Sequence, residues 1–105
     1  MQQFERRRET RRPFGGVAEV TAPASGKHLI ALTRDLGRFG CFVKTTTPFP
    51  SGEKVSLRIT YDGREFSVLG QVAYVLTTQG MGIAFDAIPA SDQAVLEAWL
   101  AQSPV

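Results

Sequence analysis

The chain of 105 residues suits one domain with one modest core and leaves no room for a separate catalytic domain beside it; at 43% hydrophobic and 21% charged residues, disorder throughout is excluded. Its formal charge of +2 is unevenly divided: residues 1–12 hold five arginines against two glutamates, a net +3, and the other seven basic and eight acidic residues leave −1. A cationic arm on a near-neutral body points to an anionic partner met by the arm.

Residues 1–12 are Arg-rich and lack apolar periodicity, so they are expected to form a flexible arm, with Pro13, Gly15 and Gly16 marking its junction to a domain over 13–105. From Val17 onward the text alternates with period two. Val17 to Thr21 reads as a first strand, ended by the turn residues Pro23, Ser25 and Gly26, and Lys27 to Thr33 as a second. Phe39, Cys41 and Val43 alternate with Gly40, Phe42 and Lys44 in a third, stopped by Pro48, Pro50 and Gly52. Val55, Leu57, Ile59 and Tyr61 form one face of a fourth, and Asp62-Gly63 then supplies a type I′ hairpin turn. The fifth strand runs from Phe66 to about Leu76, with Gly70 marking a bulge or a close backbone approach, and Met81, Ile83 and Phe85 make a sixth.

After Pro89 the period changes. Val95 with Trp99 and Leu96 with Leu100 stand four apart on one stripe, which predicts a helix over 91–102 with Ser91 as N-cap and Asp92 in its first turn. Six strands with short connections and one terminal helix predict an antiparallel barrel whose helix covers an open end or docks on a partner.

Catalytic chemistry is poorly provided for. His28 is the single histidine and stands at a strand start, where a solvent-facing or structural role is expected. Cys41 is the single cysteine and alternates as a buried strand residue does; it requires no oxidising compartment, and a reducing cytoplasm is the expected setting. One His and one Cys supply too few ligands for a metal site, so no catalytic residue, metal or cofactor is expected. No apolar run approaches the length of a membrane span or a signal sequence, and no membrane insertion is expected.

Two features suit binding. In Glu5-Arg6-Arg7-Arg8-Glu9-Thr10-Arg11-Arg12-Pro13 the guanidinium groups can fork onto phosphate, pair with the O6/N7 edge of guanine, or stack on bases. The same composition also suits a solvated tail or a non-specific nucleic-acid arm. The second feature is Asp35-Leu36-Gly37-Arg38-Phe39-Gly40, read as the connection between the second and third strands. A carboxylate there can accept from guanine N1 and N2, and glycines allow close backbone approach; alone, the segment is an ordinary Asp/Gly turn.

In this order the two features resemble the PilZ family, bacterial receptor domains for cyclic di-GMP. Members carry Arg-x-x-x-Arg just ahead of a six-stranded barrel and Asp/Asn-x-Ser-x-x-Gly after the second strand. Arg7 to Arg11 has the first spacing; so do Arg8 and Arg12, but Pro13, two residues after Arg11, favours the Arg7 register. Gly70 to Val75 followed by Gly80-Met81-Gly82-Ile83-Ala84-Phe85 is similar to the family's last pair of strands, so the resemblance spans about Glu5 to Leu100.

It implies a mainly β, six-stranded antiparallel PilZ-type barrel with a C-terminal α-helix and a flexible N-terminal arm. It further implies a non-enzymatic receptor of cyclic di-GMP, with Arg7, Arg8 and Arg11 closing over the ligand and Asp35, Gly37 and Gly40 forming the opposing wall. An effector protein would read the signal. Gly37 stands where the family usually has Ser; a lost hydroxyl contact costs about 0.5–1.5 kcal/mol, or up to about 3 where its partner is charged. The rival reading is a degenerate PilZ domain that serves as a protein interaction module. A nucleic-acid partner is disfavoured, because the body is not basic and no aromatics are interleaved with the basic residues.

Overall fold

The computed structural model describes residues 10–102. Its elements are β1 (Arg12–Pro13), β2 (Val17–Ala22), β3 (Lys27–Leu36), β4 (Gly40–Lys44), β5 (Lys54–Tyr61), β6 (Arg64–Leu76), β7 (Gly80–Phe85) and α1 (Ala90–Ala101). All pairings are antiparallel. The order β3-β2-β5-β6-β7-β4 closes on itself because β4 also pairs with β3, and β1 lies outside, on β3. The result is the closed six-stranded barrel expected, with a seventh short strand and a C-terminal helix. Closure satisfies the strand edges that an open sheet would leave exposed.

Period-two patterning becomes an inside and an outside. Val20, Leu57, Ile59, Phe66, Val72, Met81 and Ile83 are buried in one central cluster. The β5–β6 hairpin turns at Asp62 and Gly63, whose φ values of 53° and 76° are those a type I′ turn requires. Gly70 proves to be a close approach: a Cβ there would stand 2.3 Å from the Ala84 carbonyl oxygen. The register shift in β6 falls farther on, between Val72 and Tyr74.

The helix closes one end of the barrel. Leu96 and Trp99 are buried, and the Trp99 ring packs against Phe14, Tyr61 and Phe66 at centroid distances of 5.1, 5.9 and 6.3 Å. Each such burial contributes about 1.5–3 kcal/mol. The helix starts at Ala90, with Pro89 at the cap position and no side-chain cap bond, so Ser91 is not the N-cap. Asp92 accepts the Ser67 backbone N–H at 2.8 Å, so the first-turn acid also ties the helix to β6. No helix among the described residues is long and apolar enough to cross a membrane.

Candidate ligand-binding site

The segment read as the junction between arm and domain is clamped to the barrel. Arg12 and Pro13 pair with Leu36 and Asp35, Phe14 N–H donates to the Arg34 carbonyl at 3.0 Å, and Thr33 N–H donates to the Gly16 carbonyl at 2.9 Å. Thr33, a buried polar residue of the core, donates its hydroxyl proton to the Phe14 carbonyl at 2.6 Å and accepts from Gly16 N–H at 2.9 Å. Arg12, assigned to the flexible arm on composition, lies in β1 and donates to the Gln102 carbonyl at 2.9 Å. Backbone pairing overrides the local polarity of this stretch because its donors and acceptors find partners on β3.

This clamp positions Arg11. Pro13 stands directly opposite Asp35, and Arg11, two residues earlier, is the diagonal neighbour on the same side of the pair. Arg11 Nη1 donates to Asp35 Oδ1 at 2.9 Å, with the two side chains 26% and 16% exposed. Two motifs 24 positions apart thus meet in one partly desolvated ion pair, where charge-assisted hydrogen bonds are stronger than at a wet surface.

Asp35 does not lie in a connecting loop, as its surroundings in sequence imply. Strand β3 runs on to Leu36, past the expected end at Thr33, because it gains β1 on one side and β4 on the other. Thr33 faces Val43, but Asp35 faces Phe42, so β3 carries one extra residue there. This bulge reverses the alternation: Thr33 and Leu36, three apart, both point inward, which leaves Arg34 and Asp35 together on the outside. Arg34 then donates from Nε to Asp35 Oδ2 at 3.1 Å, and its Nη2 stands 3.0 Å from the same oxygen in an ion pair. One carboxylate is held between two guanidinium groups.

The reverse turn from β3 to β4 is closed by Gly37 N–H donating to the Gly40 carbonyl at 2.9 Å. Gly40 is needed for a reason the sequence does not display. A Cβ there would lie 2.4 Å from the Ile83 carbonyl oxygen of β7 and 3.2 Å from Arg11 Nη2, so only glycine admits both strand and arm. Arg38, in the same turn, pairs with Glu97 of α1, which also accepts from Gln93 Nε2 at 2.8 Å. Of the residues singled out in sequence, Arg11, Asp35, Gly37 and Gly40 are thus brought together, while Arg7 and Arg8 lie outside the described residues. Thr33, Arg34 and Phe42 were missed, and only the bulge, invisible to period counting, links them to the site.

The family model for the PilZ domain matches residues 5–102. The chain belongs to the PilZ domain family. Among solved structures, it is similar to Bacillus subtilis MotI/DgrA, an inhibitor of motility, with a TM-score of 0.72 and 17% identity over 88% of this chain and 48% of that one. The chain therefore spans about half the length of that protein. It is also similar to the PilZ domain of CeSA from a cellulose-synthesizing bacterium (TM-score 0.67, 19% identity, 86% of this chain and 93% of that one). A third is the PilZ domain of Escherichia coli YcgR, solved with cyclic di-GMP (TM-score 0.66, 16% identity, 88% and 86%). No curated protein sequence matches the chain.

In this PilZ domain the charged residues outside the site behave as surface groups. His28 and Glu19 pair at 2.9 Å on the outer face, and Arg58 pairs with the same carboxylate. The hydrogen bond from Arg58, and then that from His28, hold the Glu19 carboxyl below its ordinary pKa. Cys41 is buried, and no cluster of three or more His, Cys, Asp or Glu among the described residues could hold a metal ion.

Proposed function

We propose that this chain is a non-enzymatic receptor for cyclic di-GMP, in which the arm carrying Arg7, Arg8 and Arg11 closes over a ligand seated against Asp35, Gly37 and Gly40. The observation that carries the reading is the Arg11–Asp35 pair at 2.9 Å. It joins the two halves of the family's ligand motif and orients the arginine toward the carboxylate wall. Preorganisation of this kind lowers the ordering cost that a fully free arm would impose on binding.

Chemically, the arginines would meet phosphate and the O6/N7 edge of guanine, and Asp35 would accept from the guanine N1 and N2 donors. Arg11 and Arg34 occupy part of the carboxylate's acceptor capacity, and a carboxylate has about four lone-pair sites, so room for a further donor remains. Nothing is turned over; the output is the arm's position, passed to an effector protein in the cytoplasm.

Calorimetric titration with cyclic di-GMP, repeated on Arg11→Ala and Asp35→Ala, tests the reading. Saturable heat that either substitution abolishes supports it. Absence of heat with the unsubstituted chain at high micromolar ligand sinks it and favours the second reading, a PilZ domain acting as a protein interaction module. Gly37, in place of the serine hydroxyl usual in the family, is the observation on that side.

A further inference from the structure

Strand β3 is covered unequally on its two sides. Toward β2 and β1 it has partners from Lys27 to Leu36, whereas toward β4 the pairing spans only Thr33 to Leu36. Strand β4 ends at Lys44, and Thr45 N–H is drawn off to the Gln79 carbonyl at 3.1 Å, so the chain turns away before it can cover the rest. Among the described residues, Lys27 to Leu32 therefore presents an open edge within an otherwise closed barrel. Thr33 N–H donates toward β2, to Gly16, and the backbone groups of a strand alternate in direction from one residue to the next. Leu29 and Ala31 thus bond with β2, while the N–H and C=O groups of His28 and Ile30 face the opening.

Exposed edges are ordinarily blunted by a proline, a bulge or a charge along the strand. Here Lys27 stands only at the start, no proline follows as far as Leu32, and the register with β2 is unbroken. The outer face beside the edge is instead apolar: Ile30 is 64% exposed, Leu32 48%, and Val17, directly opposite Leu32 on β2, 45%. At the start of the edge, Lys27, His28 and Leu29 line a groove of about 360 Å³ with Thr47, Pro48 and Phe49. Backbone donors, backbone acceptors and an apolar strip are what an added strand uses.

Charge and space decide what that strand is. Lys27 stands at one end of the edge and Lys44, beside Leu32, at the other, while the nearby Glu19 carboxylate is taken up by Arg58 and His28. A second copy of this chain fits poorly. Its own β4 fills the same side of β3 from Thr33 onward, so two copies would overlap along only a few residues. Antiparallel overlap would also bring Lys27 of one copy toward Lys44 of the other, and like charges repel. A strand from a different protein, running antiparallel to β3 in the line that β4 leaves, meets neither obstacle.

We propose that the edge from Lys27 to Leu32 takes up an extended segment of a partner protein, antiparallel to β3, with an apolar middle and acidic ends. The main chain of that segment pairs with His28 and Ile30, its apolar side chains lie beside Ile30, Leu32 and Val17, and its acidic ends meet Lys27 and Lys44. The inference does not depend on the cyclic di-GMP reading: it names the surface through which either a receptor or an interaction module reaches its effector.

The test is a titration of a fluorescein-labelled peptide, Glu-Glu-Val-Thr-Val-Thr-Glu-Glu, with the full chain in the absence of cyclic di-GMP, followed by anisotropy and by amide hydrogen exchange. Saturable binding is expected to slow exchange at His28 and Ile30 and to leave Leu29 and Ala31, already bonded to β2, as they were. Ile30→Pro removes a donor that β2 does not use and is expected to weaken binding about tenfold. Lys27→Glu combined with Lys44→Glu weakens it as well, and favours a peptide with lysine in place of glutamate. Far-UV dichroism and melting show whether Ile30→Pro folds; if it does not, the alternating exchange pattern of the unsubstituted chain decides. Absence of binding, or binding that a folded Ile30→Pro chain retains in full, overturns the proposal. Equal binding of the lysine peptide to the unsubstituted chain overturns it too, as does a dimer in sedimentation that Ile30→Pro abolishes, which gives the edge to a second copy. A chain that binds the peptide but gives no heat with cyclic di-GMP keeps this proposal and loses the receptor reading.

Discussion

Two clusters of opposite charge sit on the outside of this barrel, and they are built differently. Arg58, Glu19 and His28 cross β5, β2 and β3 in regular register, with side chains 51%, 33% and 44% exposed. Arg11, Asp35 and Arg34 gather where β1 is laid on β3 and where β3 bulges, and Asp35 is only 16% exposed. Similar residue types in the first cluster give a solvated charge ladder of little energetic consequence. In the second, an extra strand and an extra residue remove water from one carboxylate and hold it between two fixed guanidinium planes.

The contrast breaks most sharply at Asp35. Asp35→Ala leaves two guanidinium groups without their anion and is expected to weaken cyclic di-GMP binding by about 2–5 kcal/mol, measured by calorimetry. Glu19→Ala, in the other cluster, should leave the affinity unchanged; equal losses from the two substitutions would mean that Asp35 acts through general surface charge. Gly40→Ala forces a methyl group against the Ile83 carbonyl oxygen and is expected to cost about 1–3 kcal/mol by denaturant unfolding, with a shift in the Arg11 position that lowers affinity as well.

Thr33→Val tests the clamp under the site. It keeps the shape but leaves the Phe14 carbonyl and Gly16 N–H without their hydroxyl partner, an expected loss of about 1–3 kcal/mol in stability. Amide exchange of Phe14 and Gly16 should quicken more than that of the β5–β6 hairpin; equal quickening would show the clamp to be no weaker than the barrel.

The smallest effect belongs to the far cluster. Because the folded-state pKa of Glu19 is depressed, its contribution is present above the unfolded-state value and is lost as pH falls through the lowered folded value. Glu19→Gln should therefore match the parent chain at strongly acid pH and fall slightly below it near neutrality, in melting temperatures followed across that range. A gap that widened toward acid pH would reverse the sign and overturn the assignment.

Much of this was legible in the residues. Strict alternation from Val55 to Tyr61, the Asp62-Gly63 turn and the stripe of Val95, Leu96, Trp99 and Leu100 are local patterns, and local physics realises them with small changes of boundary. The start of the site was less legible. Arg12 and Pro13 carry no strand pattern, and they pair only because β3 offers them partners. Asp35 reads as a turn residue beside Gly37, yet it completes a strand once Arg11 and Arg34 neutralise it.

By itself the sequence determined the barrel class, the closing helix and the pair of motifs, because hydrophobic period, turn chemistry and residue spacing are properties of neighbours along the chain. The tertiary structure alone decided which side of β3 Asp35 faces. A single extra residue reverses the parity of a strand, and that residue is recognisable only against the register of the strand beside it: Thr33 on Val43, Asp35 on Phe42.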